Sequence, residues 1–166
     1  ANKSATATTA PAGLPGPFTY NGSATLPRNA GTYAVVATVN TASYTGTASG
    51  TLTIAKATAG VALRSLAQTY NGAPKLATAL TSPGGLPVVF TYNGSTTPPT
   101  NAGNYTVVGT IYHPNFAGSA TGTLRVNKAA ATIRVATSTR TYTGAPQTGA
   151  AMTTPTGLPV TFTYNG

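Results

Sequence analysis

The chain repeats itself at a constant step of 72 residues. Phe18-Thr19-Tyr20-Asn21-Gly22 recurs as Phe90-Thr91-Tyr92-Asn93-Gly94 and again as Phe162-Thr163-Tyr164-Asn165-Gly166. Gly13-Leu14-Pro15 returns at Gly85-Leu86-Pro87 and Gly157-Leu158-Pro159. Asn29-Ala30-Gly31 with Tyr33 returns as Asn101-Ala102-Gly103 with Tyr105, and Lys56-Ala57 as Lys128-Ala129. Gln68-Thr69-Tyr70-Asn71-Gly72 returns as Arg140-Thr141-Tyr142-Thr143-Gly144, and no insertion or deletion breaks the register. A fixed period of this kind marks an array of units that contact mainly their neighbours. On this period, residues 1–57 are a repeat lacking its first strand, 58–129 a complete repeat, and 130–166 the first half of a third. Ends that fall inside repeats fit a segment of a longer array. The alternative is that residues 130–144 donate the strand missing from residues 1–57 of a neighbouring subunit.

Within the unit 58–129 the apolar pattern has period two, not 3.6. Tyr105, Val107 and Ile111 share one side of a strand, with Thr106, Val108, Thr110 and Tyr112 on the other. The last strand points Ala120, Gly122, Leu124 and Val126 inward and Thr121, Thr123, Arg125 and Asn127 outward. Asn-Gly, Pro-Gly-Gly and Pro-Pro pairs punctuate the gaps, and no stretch has helical spacing. The expected fold is all-β: tandem small antiparallel β-sandwich (Ig-like) repeats, with a β-grasp-like repeat lacking its helix as the alternative. Gly31 with Tyr33, and Gly103 with Tyr105, read either as a tyrosine corner, whose hydroxyl ties back to upstream backbone, or as plain core tyrosines. Phe18, Phe90, Phe162, Tyr70 and Tyr142 complete the repeat motifs. The junction Val126–Ile133 has no Gly/Ser run, so it predicts a stiff rod rather than a hinge. At about 3.3 Å per strand residue, each repeat adds roughly 30–40 Å.

Composition then excludes chemistry. The 166 residues hold no Asp, Glu or Cys and a single His, against nine Lys and Arg, a formal net charge of +9. A chain without carboxylates has no acid pair for glycoside hydrolysis, no calcium cage and no Ser-His-Asp triad. One without thiols has no disulfide or zinc–thiolate site. No catalytic residue, metal site or cofactor is expected. His113 has Thr41 as its counterpart one repeat earlier and reads as an exposed loop residue; Met152 aligns with Leu80 and reads as a core exchange.

The motif order resembles the MBG-type (YDG/YGX-type) tandem repeats of bacterial surface adhesins and other large secreted proteins. The residues that carry the likeness are Gln68–Gly72, Gly85–Pro87, Phe90–Ser95, Pro99–Tyr105 and Gly118–Leu124. The family often has Asp in the Tyr-Asp-Gly turn; here Asn71 and Thr143 stand there, and Asn tolerates the same turn. The resemblance implies an extracellular or cell-surface location and stalk or adhesin repeats, and it brings no catalytic residues.

The nine basic residues are scattered. Lys56, Lys128 and Arg125 are the candidate contacts for an anionic polysaccharide or other polyanion. Solvated charge on strand edges is the competing reading, and nucleic-acid binding is not expected because no basic run is interleaved with stacking aromatics. Lys–Asn isopeptide cross-links require a neighbouring carboxylate, so none is expected. Asn2, Asn21, Asn93 and Asn104 begin glycosylation sequons of the kind that chance supplies in a chain with thirty-five threonines. The expected partners are neighbouring repeats and, in a fibre, identical chains. The expected role is non-enzymatic: a stiff spacer or fibre-building segment. The alternatives are a glycan- or polyanion-binding module and an accessory domain of a secreted hydrolase.

Overall fold

A computed structural model describes residues 3–14 and 16–164. Asn2, Pro15, Asn165 and Gly166, which belong to motifs noted above, lie outside the described residues. Among the described residues there is no helix; thirteen strands carry the fold. The first repeat contributes β1 (Phe18–Tyr20), β2 (Gly31–Asn40) and β3 (Thr45–Ile54). At the junction lies β4 (Ala57–Thr58). The complete repeat contributes β5 (Gly60–Arg64), β6 (Ala67–Thr69), β7 (Thr78–Ser82), β8 (Val88–Tyr92), β9 (Gly103–Ile111), β10 (Phe116–Ala117) and β11 (Ser119–Asn127). The third contributes β12 (Thr132–Val135) and β13 (Ala151–Thr154).

The complete repeat has two layers. One is the four-stranded sheet β6-β11-β9-β8; the other is the antiparallel pair β5–β7. Leu63 of β5 lies against the bare faces of Gly109 and Gly122, where an added Cβ would sit 2.9 and 3.2 Å from its methyl carbons. Leu63, Leu66, Phe90 and Tyr105 pack on a buried cluster of Ala77, Tyr92, Val107, Leu124 and Val126. Val107 and Leu124 are fully buried, Ile111 is buried and Arg125 is exposed, as the alternation of β9 and β11 requires.

Two pairings run parallel within an otherwise antiparallel fold. β6 pairs with β11 through Ala67↔Arg125, Gln68↔Val126 and Thr69↔Asn127, and β10 pairs with β4. The first arises because the chain changes layer between β5 and β6. Ser65 takes φ 58° at that step, and the Gln68 side chain donates to the carbonyls of Ser65 and Leu76, both at 2.8 Å. A residue in the left-handed region bends the strand without reversing it: Ala57–Thr58 and Ala67–Thr69 run in the same direction alongside Phe116–Ala117 and Arg125–Asn127, so one segment serves both layers.

The neighbouring repeats reuse the same parts. β1, β2 and β3 are the counterparts of β8, β9 and β11, with the antiparallel register running from Gly31↔Ile54 to Asn40↔Thr45. β12 and β13 pair antiparallel like β5 and β7. The motif tyrosine makes one bond in all three repeats: its hydroxyl oxygen accepts the backbone N–H fifteen residues earlier. The pairs are Ala5 to Tyr20 (3.0 Å), Ala77 to Tyr92 (2.9 Å) and Gly149 to Tyr164 (2.7 Å). Threonines Thr9, Thr81 and Thr153 likewise accept from the N–H of Leu14, Leu86 and Leu158. The peptide bonds before Pro11, Pro83 and Pro155 are cis at the same place in each repeat.

Met152 differs from its sequence reading. It is 70% exposed, and its counterpart Leu80 is 56% exposed. Both stand on the outward face of their strands, while Ala79, Thr81, Ala151 and Thr153 face inward.

Candidate functional site at the repeat junction

The feature most unlike an ordinary linker is the short segment that joins the first two repeats. β3 ends at Ile54, and β5 begins at Gly60. Between them, Ala57 at the end of the first repeat and Thr58 at the start of the complete one form a short parallel strand against β10. Ala57 N–H donates to Asn115 O, and Ala59 N–H donates to Ala117 O, each at 2.8 Å. Ala59 is buried. Gly118 allows this approach, because a Cβ there would collide with the carbonyl oxygen of Ala59. Its counterpart Gly46 has open space instead.

Side chains extend the contact to the body of the first repeat. Asn115 Oδ1 accepts the Ala30 N–H at 2.8 Å, and Asn115 Nδ2 donates to Asn29 Oδ1 at 3.0 Å. Lys56 Nζ donates to His113 O at 2.9 Å. The Asn-Ala-Gly loop gripped by Asn115 is itself held. Tyr33 Oη donates to Asn29 O at 2.9 Å, and Tyr105 Oη makes the same bond to Asn101 O at 2.9 Å. Each ring folds back over its glycine: a Cβ on Gly31 or Gly103 would stand 3.5 or 3.3 Å from the hydroxyl oxygen. The hydroxyl tie to upstream backbone is thus present in both repeats, with the glycines clearing room for it.

His113 is a correction to the sequence reading. It is half-buried rather than an exposed loop residue. Its Nδ1 accepts the Asn115 N–H at 3.1 Å, and its ring lies 5.2 Å from that of Phe116. The sequence carried no sign of this, because the counterparts of His113 and Asn115 are Thr41 and Ser43. A position that varies between repeats reads as a surface loop.

Lys56 and Lys128 fall at successive junctions, one repeat apart, and Arg125 is an exposed residue of β11. Lys56 Nζ bonds His113 O, and Lys128 joins Tyr70, Ala102 and Leu158 in lining a cleft of about 280 Å³ at the second junction. Tyr70 and Tyr142 are exposed, whereas Phe18, Phe90 and Phe162 are half-buried. Asn21 and Asn93, read as sequons, close turns at φ 47° and 48°; their Oδ1 atoms accept the N–H of Ala34 and Thr106 at 2.8 Å.

One buried charge was missed. Lys75 is only 7% exposed, and its Nζ donates to Asn71 Oδ1 at 2.5 Å. The third repeat makes the equivalent contact with neutral groups, Gln147 Nε2 to Thr143 Oγ1 at 2.9 Å. Among the described residues no group of His, Cys, Asp or Glu is assembled that could hold a metal ion. No helix among them is long and apolar enough to cross a membrane.

A repeat whose bonds recur from copy to copy, joined to the next through a bonded junction, defines a tandem all-β domain array. The family model for the MBG domain matches residues 1–58, 59–130 and 131–166, and the chain belongs to that family. MBG domains are repeat units of surface and secreted proteins. No curated protein and no solved structure matches the chain.

Proposed function

We propose that the chain is a non-enzymatic structural segment of a secreted or surface-attached bacterial protein. In this reading its repeats act as a stiff spacer that holds other parts of the protein at a distance. The observation that carries this reading is the junction. The amide of Ala57, at the end of the first repeat, is bonded to the following repeat, and Asn115 grips the Asn29–Ala30 loop of the preceding one. A linker held on both sides transmits orientation, whereas an unbonded Gly/Ser linker does not. Adhesion, if the parent protein performs it, then belongs to parts that the spacer presents.

Small-angle scattering on the 166-residue chain tests the proposal. At roughly 35 Å per repeat the array is about 80 Å long, with a radius of gyration near 23 Å. A compact globule of the same length has a radius of gyration of about 15 Å. A value close to the compact one removes the spacer reading.

A further inference from the structure

The turn that grips the preceding repeat is built on an imidazole acceptor, and that acceptor can be switched off by a proton. Asn115 N–H donates to His113 Nδ1 at 3.1 Å, which fixes the turn just ahead of β10. Asn115 meets the first repeat and its linker through three atoms: its carbonyl oxygen takes the Ala57 N–H, its Oδ1 the Ala30 N–H, and its Nδ2 reaches Asn29 Oδ1. The carbonyl of His113 itself receives Lys56 Nζ. In the first repeat the equivalent turn is closed by a hydroxyl instead, Thr41 Oγ1 accepting the Tyr44 N–H at 3.0 Å. A hydroxyl keeps its acceptor lone pairs at any ordinary pH; a protonated imidazole has two N–H donors and no acceptor.

We infer that the turn His113–Phe116 is a proton-sensitive clasp that docks on the Asn-Ala-Gly corner of the preceding repeat. This inference rests on the spacer reading and adds a condition under which stiffness is lost. Protonation of His113 removes the acceptor for Asn115 N–H and turns Nδ1 into a second donor facing a first. It also places a cation beside the Lys56 ammonium. Tyr112 lies next to His113 in the chain, and Arg28 next to Asn29 on the gripped loop. The whole chain has no carboxylate to offset the added charge. Because the acceptor for Asn115 N–H exists only in neutral imidazole, protonation of His113 opens the clasp.

The chain has no cysteine, so a single introduced pair can be labelled. Thr53→Cys in the first repeat and Thr121→Cys in the second are both exposed, and time-resolved energy transfer between their labels reads the spread of inter-repeat distances. The spread is expected to be narrow at about pH 8 and roughly twofold broader at about pH 5. His113→Thr, which installs the residue found at Thr41, is expected to stay narrow at both. A native chain that is narrow at both pH values overturns the clasp and leaves the spacer standing. Equal broadening in His113→Thr overturns it too, since the imidazole is then not the cause. Broad distributions at both pH values overturn the spacer reading and the clasp together.

Discussion

The three motif tyrosines offer a graded experiment on what one hydrogen bond contributes. Tyr20, Tyr92 and Tyr164 accept the same kind of backbone N–H at 3.0, 2.9 and 2.7 Å. Distance therefore predicts the strongest effect at Tyr164. Burial predicts the opposite order. Tyr92 is 4% exposed and its bond to Ala77, also 4% exposed, is buried, whereas Tyr164 is 63% exposed. Removing the hydroxyl with Tyr→Phe leaves the Ala77 N–H without an acceptor in the core, and an orphaned buried donor costs about 1–3 kcal/mol. At Tyr164 water replaces the lost partner, so the cost is within about 0.5 kcal/mol. Tyr20 falls between, because its ring is buried but the Ala5 end of the bond is half open. Thermal unfolding of the 166-residue chain reads the difference, at roughly 4–8 °C of midpoint per kcal/mol for a single 72-residue unit. The expected order of destabilisation is Tyr92→Phe, then Tyr20→Phe, then Tyr164→Phe. Equal effects at Tyr92 and Tyr164, or the reverse order, would refute the argument that burial governs the strength of this bond.

Other substitutions test the packing and the buried charge. Asn71→Asp gives Lys75 Nζ an anionic partner and is expected to raise stability by about 1 kcal/mol, since hydrogen bonds between charged groups outweigh charged–neutral ones; unfolding in urea at neutral pH measures the gain, which should begin to fall near about pH 4 and be lost as pH drops through the lowered pKa of the paired carboxylate. No gain at neutral pH would mean that the amide already satisfies the ammonium. Gly118→Ala drives a methyl group into the Ala59 carbonyl and is expected to cost about 1–3 kcal/mol, whereas Gly46→Ala meets open space and changes stability by less than about 1 kcal/mol. Leu124→Ala, at a fully buried position, is expected to cost about 2–5 kcal/mol by opening a cavity, read as a lower urea midpoint with unchanged slope.

The strands with two clear faces were legible in the sequence. Val107 with Ile111, and Leu124 with Val126, alternate with Thr and Arg along nine-residue strands, and period two fixes which side meets the core. The repeat itself was plain, because turn residues such as Asn21 and Asn93 serve the same bond in each copy. Short elements were not legible. β4 and β10 are two residues each and β6 three, too few to show a period, and their partners are remote in sequence. The change of layer at Ser65 carries no glycine or proline to announce it. Lys75 looked like one more solvated cation, and only its contact with Asn71 marks it as buried. Asn115 and His113 were hidden for a different reason: their counterparts one repeat earlier are Ser43 and Thr41, so self-comparison discounts them.

The central claim is that the linker between repeats is part of the fold and not a hinge. Hydrogen exchange at the amides of Ala57 and Ala30, whose bonds cross from the first repeat to Asn115, tests it directly at neutral pH. If these N–H groups are bonded to Asn115 O and Asn115 Oδ1 as in the structure, they exchange slowly, with protection comparable to that of β11 amides such as Arg125. Exchange at the rate of an unstructured peptide would show that the repeats are joined by free chain, and the spacer account would fail.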